Sequence, residues 1–344
     1  RVNNRPFPEV SLVDMREEFA ADNRTMFSRQ LTEELNLTLA NGEQAIILLN
    51  RRGYSAFVLC RECGYVVGCP NCHVSLTYHQ DNRLKCHYCG YMQELPPSCP
   101  ECASRYLRQF GTGTQQLEAF IRHNFPQART VRLDSDTTRR KGAHERLLSQ
   151  FRRGEANVLI GTQMIAKGLD FPDVTLVGVI SADFALNFPD FRSAERTFQL
   201  LMQVSGRAGR GEKPGRVIIQ CYDPEHYAVA AVKKHDYLEF YRQEVSYRRA
   251  LAYPPYGHMV RILIQGSEAA VSQKSRDLHK LLTERVPDAV IYGPAPAPIS
   301  KIKGRYRWHI IIKSGRKISQ LLTDLPQNDG EFTVSVDPDP LFLL

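Results

Sequence analysis

Eight of the nine cysteines in this 344-residue chain stand as four C-x-x-C pairs: Cys60 and Cys63, Cys69 and Cys72, Cys86 and Cys89, Cys99 and Cys102. Clustered pairs of this kind suit tetrahedral Zn2+, with ligands at about 2.3 Å, far better than thiol exchange, which needs only one reactive pair. Between the two inner pairs, SLTYHQDNRLK reads as strand, turn, strand. A hairpin there gathers Cys69, Cys72, Cys86 and Cys89 around one ion. Its outgoing chains then lie side by side and gather Cys60, Cys63, Cys99 and Cys102 around a second. A sequential pairing, each C-x-x-C with its neighbour along the chain, is sterically open too. Four thiolates leave no coordination position vacant, so both ions are expected to be structural. His73, His79 and His87 lie close enough to replace a ligand, but eight thiolates complete two sites without them. Cys221, at the end of an apolar run, reads as a small core residue.

Two other segments carry groups suited to phosphates. QVSGRAGRGEKPG, residues 203–215, follows an amphipathic stretch and sets Arg207 and Arg210 three apart on one face. Guanidinia fixed there can reach phosphates from a neighbouring lobe and stabilise the charge that develops in phosphoryl transfer. A solvated basic turn is the plainer alternative. LIGTQMIAKGLDF, residues 159–171, leaves an apolar run for a turn holding Gly, Thr and Lys, where N–H groups near Gly161 and Thr162 could hold a nucleic-acid phosphate.

The elements that must position these residues alternate in type. The runs EQAIILLN, ARTVRLD, ANVLIGT, VTLVGVIS and GRVIIQC are strand-like, and TQQLEAFIRHNF, AHERLLSQFRRG and RSAERTFQLLMQ have apolar residues at helical spacing. That order predicts an α/β fold: a doubly wound parallel sheet with helices on both faces. The cysteine cluster interrupts the pattern after its first strand, and the pattern resumes at YLRQFGTGT, so the cluster is an insertion. A helical stretch from Asp223 to about Arg249 precedes YPPYG, which opens a new unit. There MVRILIQ, AVIYG and RWHIIIK alternate with helical SQKSRDLHKLL and ISQLLTDL, which predicts a small α+β domain. The expected division is residues 1–56 and 105–249 for the lobe, 57–104 for the insertion and 250–344 for the C-terminal domain.

Lys and Arg outnumber Asp and Glu by 45 to 37, a net charge of +8 that suits a polyanionic partner without requiring one. The sequence has no apolar run of membrane-spanning length, and RVNNRPFPEV is no signal sequence, so a cytoplasmic protein with no membrane role is expected.

GTQMIAKGLDF and QVSGRAGR resemble motifs V and VI of superfamily 2 helicases. Together with DFALNFPDFRSAER, LLNRRGYS, FGTGTQQLE, LDSDTT, YPPYGH and GPAPAPISKIKGRYRW they resemble the PriA family of replication-restart DNA helicases over nearly the whole chain. The resemblance implies a RecA-like second helicase lobe with a double zinc insertion, in a 3′-to-5′ helicase that uses ATP and Mg2+. It puts Arg207 and Arg210 at the ATP phosphates as catalytic residues, Gly168, Asp170 and Gln203 on the nucleotide side, and Thr162 and Gln163 nearer DNA. Thr112 and Thr114, at a predicted helix N-terminus, are candidates for a DNA phosphate or for a plain helix cap. The departure is large: no G-x-x-x-x-G-K-[ST] loop and no DExH-type segment occurs. The chain is therefore expected to be the C-terminal part of a longer protein and inactive in ATP hydrolysis alone.

From Ala289 to Thr323 there is no acidic residue, while Lys301, Lys303, Arg305, Arg307, Lys313, Arg316 and Lys317 are interleaved with Tyr306 and Trp308. Such a surface can hold phosphates and stack bases, with Lys301 and Arg305 the DNA-binding candidates, unless Trp308 packs in the core. The resemblance further implies branched and single-stranded DNA, other primosome proteins and the acidic tail of single-strand DNA-binding protein as partners. Arg316 and Gln320, one helical turn apart, are the candidates for that tail. A monomer at replication forks is expected. The competing reading is a non-catalytic, zinc-stabilised nucleic-acid adaptor.

Overall fold

The computed structural model describes residues 7–342 apart from 50–56, 73, 80, 111–112, 135, 139, 141, 167–170, 323 and 326–329. In chain order, β1 (Glu9–Asp14), α1 (Met15–Ala20), α2 (Arg29–Ala40) and β2 (Gln44–Leu49) lead into β3 (Phe57–Cys60), β4 (Thr77–Tyr78), β5 (Arg83–Lys85), β6 (Met92–Glu94) and β7 (Leu107–Phe110). Then come α3 (Thr114–Asn124), β8 (Thr130–Leu133), α4 (Ala143–Arg152), β9 (Val158–Gly161), β10 (Val174–Ile180), α5 (Asp183–Leu186), α6 (Ser193–Ser205) and β11 (Arg216–Cys221). The chain closes with α7 (Tyr227–Lys233), α8 (Tyr237–Ala250), β12 (His258–Gly266), α9 (Glu268–Arg285), β13 (Val290–Ile302), β14 (Arg305–Ser314) and β15 (Phe332–Pro338).

Six strands form one parallel sheet in the order β1-β11-β10-β2-β9-β8. Burial on both faces explains the continuous apolar runs. In β2, Ile46 and Leu48 join α4, α6 and α7 on one face, while Ala45, Ile47 and Leu49 join α2 and α3 on the other. Two buried glutamines in this core have their amides satisfied. Gln44 donates to Phe151 O and Ala156 O at 2.7 and 3.0 Å, and Gln220 accepts from Ser28 N–H while donating to Met26 O. Ser28, Asp236 and Ser267 cap α2, α8 and α9 through their side chains.

Three expectations are corrected. Residues 107–110 do not resume the lobe's sheet; they pair antiparallel with β3, Cys60 opposite Leu107, as the stem of the insertion. The helical stretch from Asp223 is two helices, α7 and α8, broken at Lys234–Asp236. ISQLLTDL forms only a 3-10 turn, Ser319–Leu322, too short to be an α-helix. β1 and β15, which the apolar patterning did not single out, complete the two larger sheets.

The C-terminal domain is an antiparallel sheet, β13-β14-β12-β15, with α9 covering one face through Val271, Leu278 and Leu282. Its other face meets the zinc insertion: Met259 and Ile311 share a cluster with Cys69, Cys86 and Tyr88. His309 donates from Nε2 to His87 O, and His87 donates from Nδ1 to Pro296 O at 3.2 Å. Burial lowers both imidazoles to about 4, so both are neutral at physiological pH.

Lobe and C-terminal domain are also joined through Arg248, at the end of α8. Its Nη2 lies 2.7 Å from Glu195 Oε2 and 2.7 Å from Glu244 Oε1, and its Nη1 donates to Pro254 O. Burial works against the Glu195 charge, but the guanidinia of Arg192 and Arg248 outweigh it and hold the carboxyl at about 2. A depressed carboxylate stabilises the fold above its unfolded value of 4.5, and that stability is lost as pH falls from there towards 2. Glu195→Gln is expected to destabilise the chain by about 2 kcal/mol at pH 7, because Arg192 and Arg248 both lose a carboxylate and Arg248 keeps only Glu244. The gap between variant and wild type should close by pH 2; denaturant unfolding across that range measures it.

Candidate functional site

Cys60 Sγ lies 3.6 Å from Cys102 Sγ, Cys63 Sγ 3.6 Å from Cys99 Sγ, and Cys69 Sγ 3.6 Å from Cys89 Sγ. These separations are far too long for a disulfide and match the edges, about 3.8 Å, of a tetrahedron with 2.3 Å zinc–sulfur bonds. The two groups are Cys60, Cys63, Cys99 and Cys102, and Cys69, Cys72, Cys86 and Cys89, with all ligand atoms in each within 4.8 Å of one another. The nested grouping is thus the one found. The antiparallel pairing of β4, β5 and β6 makes the inner hairpin, and β3 with β7 carries the outer site. Among the described residues no histidine joins either group; the Nδ1 of His87 is committed to Pro296. Within the inner group the Cys86 thiol is lowered by a hydrogen bond from Cys72 and the Cys69 and Cys72 thiols are raised, so the four share their protons as one set until a cation replaces them. Both sites are compatible with a closed, structural Zn2+.

Arg207 and Arg210 lie in the turn that follows α6, not on a continuing helical face. Gly209 has φ +70°, and its N–H donates to Val174 O at 3.0 Å. A Cβ on Gly211 would stand 2.2 Å from Pro172 O, a backbone atom with little room to shift. The turn is therefore pressed onto the chain entering β10. Gly211→Ala is expected to cost about 2 to 3 kcal/mol and to lower the melting temperature by roughly 5 to 10 °C. Gly315→Ala, where a Cβ meets nothing within 4 Å, should leave it unchanged. The Nε of Arg210 donates to Gly206 O at 2.8 Å, which orients its guanidinium plane. Gln203 is exposed on the last turn of α6.

Thr162 and Gln163 follow β9 at the opposite edge of the sheet. Gly161 is level with Leu48 and Val179, whereas the arginine turn bonds at Val174, five residues nearer the strand starts, a separation of about 16 Å. The structure therefore keeps these two sets apart. Gly168, Asp170 and Thr112 lie outside the described residues. Thr114 is the first residue of α3, after the cap position Gly113, and its hydroxyl donates to Asp134 Oδ2 at 2.6 Å, so it is not the cap. Burial raises the Asp134 carboxyl, but donors from Thr114 and Thr137 and the charge of Arg132 bring it below the usual range.

In the C-terminal domain Lys301 and Arg305 flank the exposed β13–β14 hairpin. Trp308 packs, partly buried, against the core beneath α9, while Tyr306 lies under the Lys301 ammonium at 4.5 Å. Arg316 sits in the bend after β14 with Asp288 3.6 Å away, and Gln320 belongs to the 3-10 turn, so the two do not share a helix.

Residues 69–93 match the family model of the PriA DNA helicase Cys-rich region, residues 108–212 that of the helicase conserved C-terminal domain, and residues 249–341 that of the primosomal protein N C-terminal domain. Replication restart protein PriA of Bacillus subtilis is 52% identical over 355 residues, covering 100% of this chain and 44% of the relative. These matches fit a C-terminal part of a PriA protein. The Synechocystis PriA is 52% identical over 320 residues, covering 91% of this chain and 38% of its own length. The chain thus spans less than half the length of these PriA relatives. RecG bound to a three-way DNA junction overlays 71% of this chain and 22% of its own at 11% identity and a TM-score of 0.37. Among the described residues no helix is long and apolar enough to cross a membrane.

Proposed function

We propose that this chain is the second motor lobe, zinc module and fork-binding domain of an ATP-dependent 3′-to-5′ DNA helicase that restarts stalled replication forks and begins primosome assembly. The observation that supports it most is the 52% identity to a replication restart protein over the whole chain. The arginine turn held against β10 by two close glycines adds to it. A first lobe would grip ATP and Mg2+, and ATP bound there would close the two lobes on single-stranded DNA, hydrolysis reopening them. Arg210 and Arg207 then contribute positive charge at the transferring phosphoryl group, with Gln203, Gly168 and Asp170 as the nucleotide-binding candidates. Thr162, Gln163, Thr112 and Thr114 serve the DNA side, about 16 Å away along the strands in the case of Thr162. Two Zn2+ hold the insertion's shape.

Branched and single-stranded DNA, other primosome proteins and the acidic tail of single-strand DNA-binding protein are the partners of this reading, for a monomer in the cytoplasm. For the tail, Arg316 supplies a charge-assisted contact and Gln320 a neutral one. The chain alone, with no phosphate-gripping lobe, has no ATP hydrolysis in this account. Fork-DNA-stimulated ATP turnover by the full-length protein tests it. Turnover that rises on adding forked DNA supports a motor; a full-length protein that binds forks without turning over ATP would be the non-catalytic adaptor instead.

A further inference from the structure

The β13–β14 hairpin closes with Ile302 opposite Arg305, through Lys303 and Gly304 at φ +49° and +82°. Two positive φ values make a tight two-residue turn whose twist matches that of the strands. Before the turn, β13 spends residues 297–300 across an interval that Arg307 alone spans on β14, so β13 bows outward there. The Nη1 of Arg307 secures the bulge by donating to Ile299 O at 3.2 Å. Two isoleucines near the tip are left open, Ile299 on the bulge at 50% and Ile302 beside the turn at 41% exposure, in a domain whose other isoleucines sit largely in its core.

Cations surround that pair. Lys301, Lys303 and Arg305 are exposed, and among the described residues none of them forms an ion pair. Their contacts are with neutral groups: Lys301 Nζ with Tyr306 OH at 3.3 Å and Arg305 Nη2 with Gln265 O at 3.1 Å. Register puts Ile302 and Arg305 on one face of the hairpin and Lys301 with Tyr306 on the other, so positive charge flanks the isoleucines from both sides. Proteins that grip single strands stack bases on open aromatic rings, yet here Trp308 is packed partly buried against the core and one face of Tyr306 lies under the Lys301 ammonium. Branched aliphatic side chains between cations suit a different nucleic-acid feature: a step where base pairs have opened, which an apolar wedge can fill while flanking phosphates are held.

We propose that Ile299 and Ile302 are a wedge seated at the step where duplex DNA opens into single strands, held there by Lys301, Lys303 and Arg305. This rests on the reading of the C-terminal domain as DNA-binding and adds which DNA structure it selects. The test uses the full-length protein with forked, blunt and single-stranded DNA of equal length, 2-aminopurine being placed at the fork junction. The Ile299→Ser, Ile302→Ser double variant should lose about tenfold in fork affinity, down to that for blunt duplex. It should keep its salt dependence and melting temperature, and lose the 2-aminopurine fluorescence rise that reports unstacking. The Lys301→Ala, Arg305→Ala variant should weaken all three DNAs alike and lower the salt slope by about two. A serine variant that keeps both fork preference and fluorescence rise overturns the wedge while leaving DNA binding in place. An alanine variant that binds all DNAs like wild type overturns the DNA reading of the hairpin, and the wedge with it.

Discussion

Arg210→Ala in the full-length protein is expected to lower fork-stimulated ATP turnover by about a thousandfold or more, while KM for ATP changes far less. The asymmetry follows from when the charge is needed: a guanidinium reaching the transferring group meets most of its partner charge only in the transition state. Its geometry here is fixed rather than trailing, since Nε is tied to Gly206 O and the turn is pressed against Pro172 by Gly211. Arg210→Lys should recover little, because a lysine keeps the charge and loses the planar fork. DNA affinity without nucleotide should be unchanged in both variants, which separates lost chemistry from lost folding. Turnover within about tenfold of wild type would remove Arg210 from the catalytic role.

The second large effect concerns the inner metal site. Cys86→Ser should lower bound zinc from two equivalents to about one, and the effect should reach beyond the insertion. Structural zinc contributes on the order of 10 kcal/mol to a small domain of this kind. The C-terminal domain meets the inner knuckle directly, with His309 donating to His87 O and Tyr292 packed on Tyr88. Amide exchange in β12 and β14 should therefore accelerate together with exchange in β5. Cys102→Ser, in the outer site and at its exposed edge, should release zinc with exchange in β12 and β14 near wild type. Equal acceleration from both variants would mean that the C-terminal domain senses general unfolding and not the inner site.

The readable parts of the sequence were those whose physics is local. Cys69 to Cys89 announce a site because a hairpin and four thiolates are both visible in one short segment, and four of the five strand runs of the lobe are apolar because both their faces are covered, the edge strand β8 alternating instead. Arg207 and Arg210 were legible as residue types but not as a turn: only the approach of Pro172 and Val174, brought by another strand, ends α6 there. Thr114 looked available because its partner, Asp134, lies twenty residues away across the α3–β8 connection. The seam between the zinc module and the C-terminal domain left no trace in composition, since its hydrogen bonds run from histidine rings to the carbonyls of His87 and Pro296. ISQLLTDL has helical spacing, yet the described residues hold a single 3-10 turn there, so Arg316 and Gln320 lost the shared face that spacing suggested.

β1 pairs with β11 and with no other strand, although some two hundred residues separate them. On the ribosome this strand emerges long before the edge it will occupy exists. At about 5 to 20 residues per second it waits roughly 10 to 40 s for residues 216–221, with Val10 and Leu12 lacking their eventual neighbours. The lobe's nascent sheet thus lacks both β11 and β1 until then, and a chaperone that shields one short apolar segment would meet β1 during that interval.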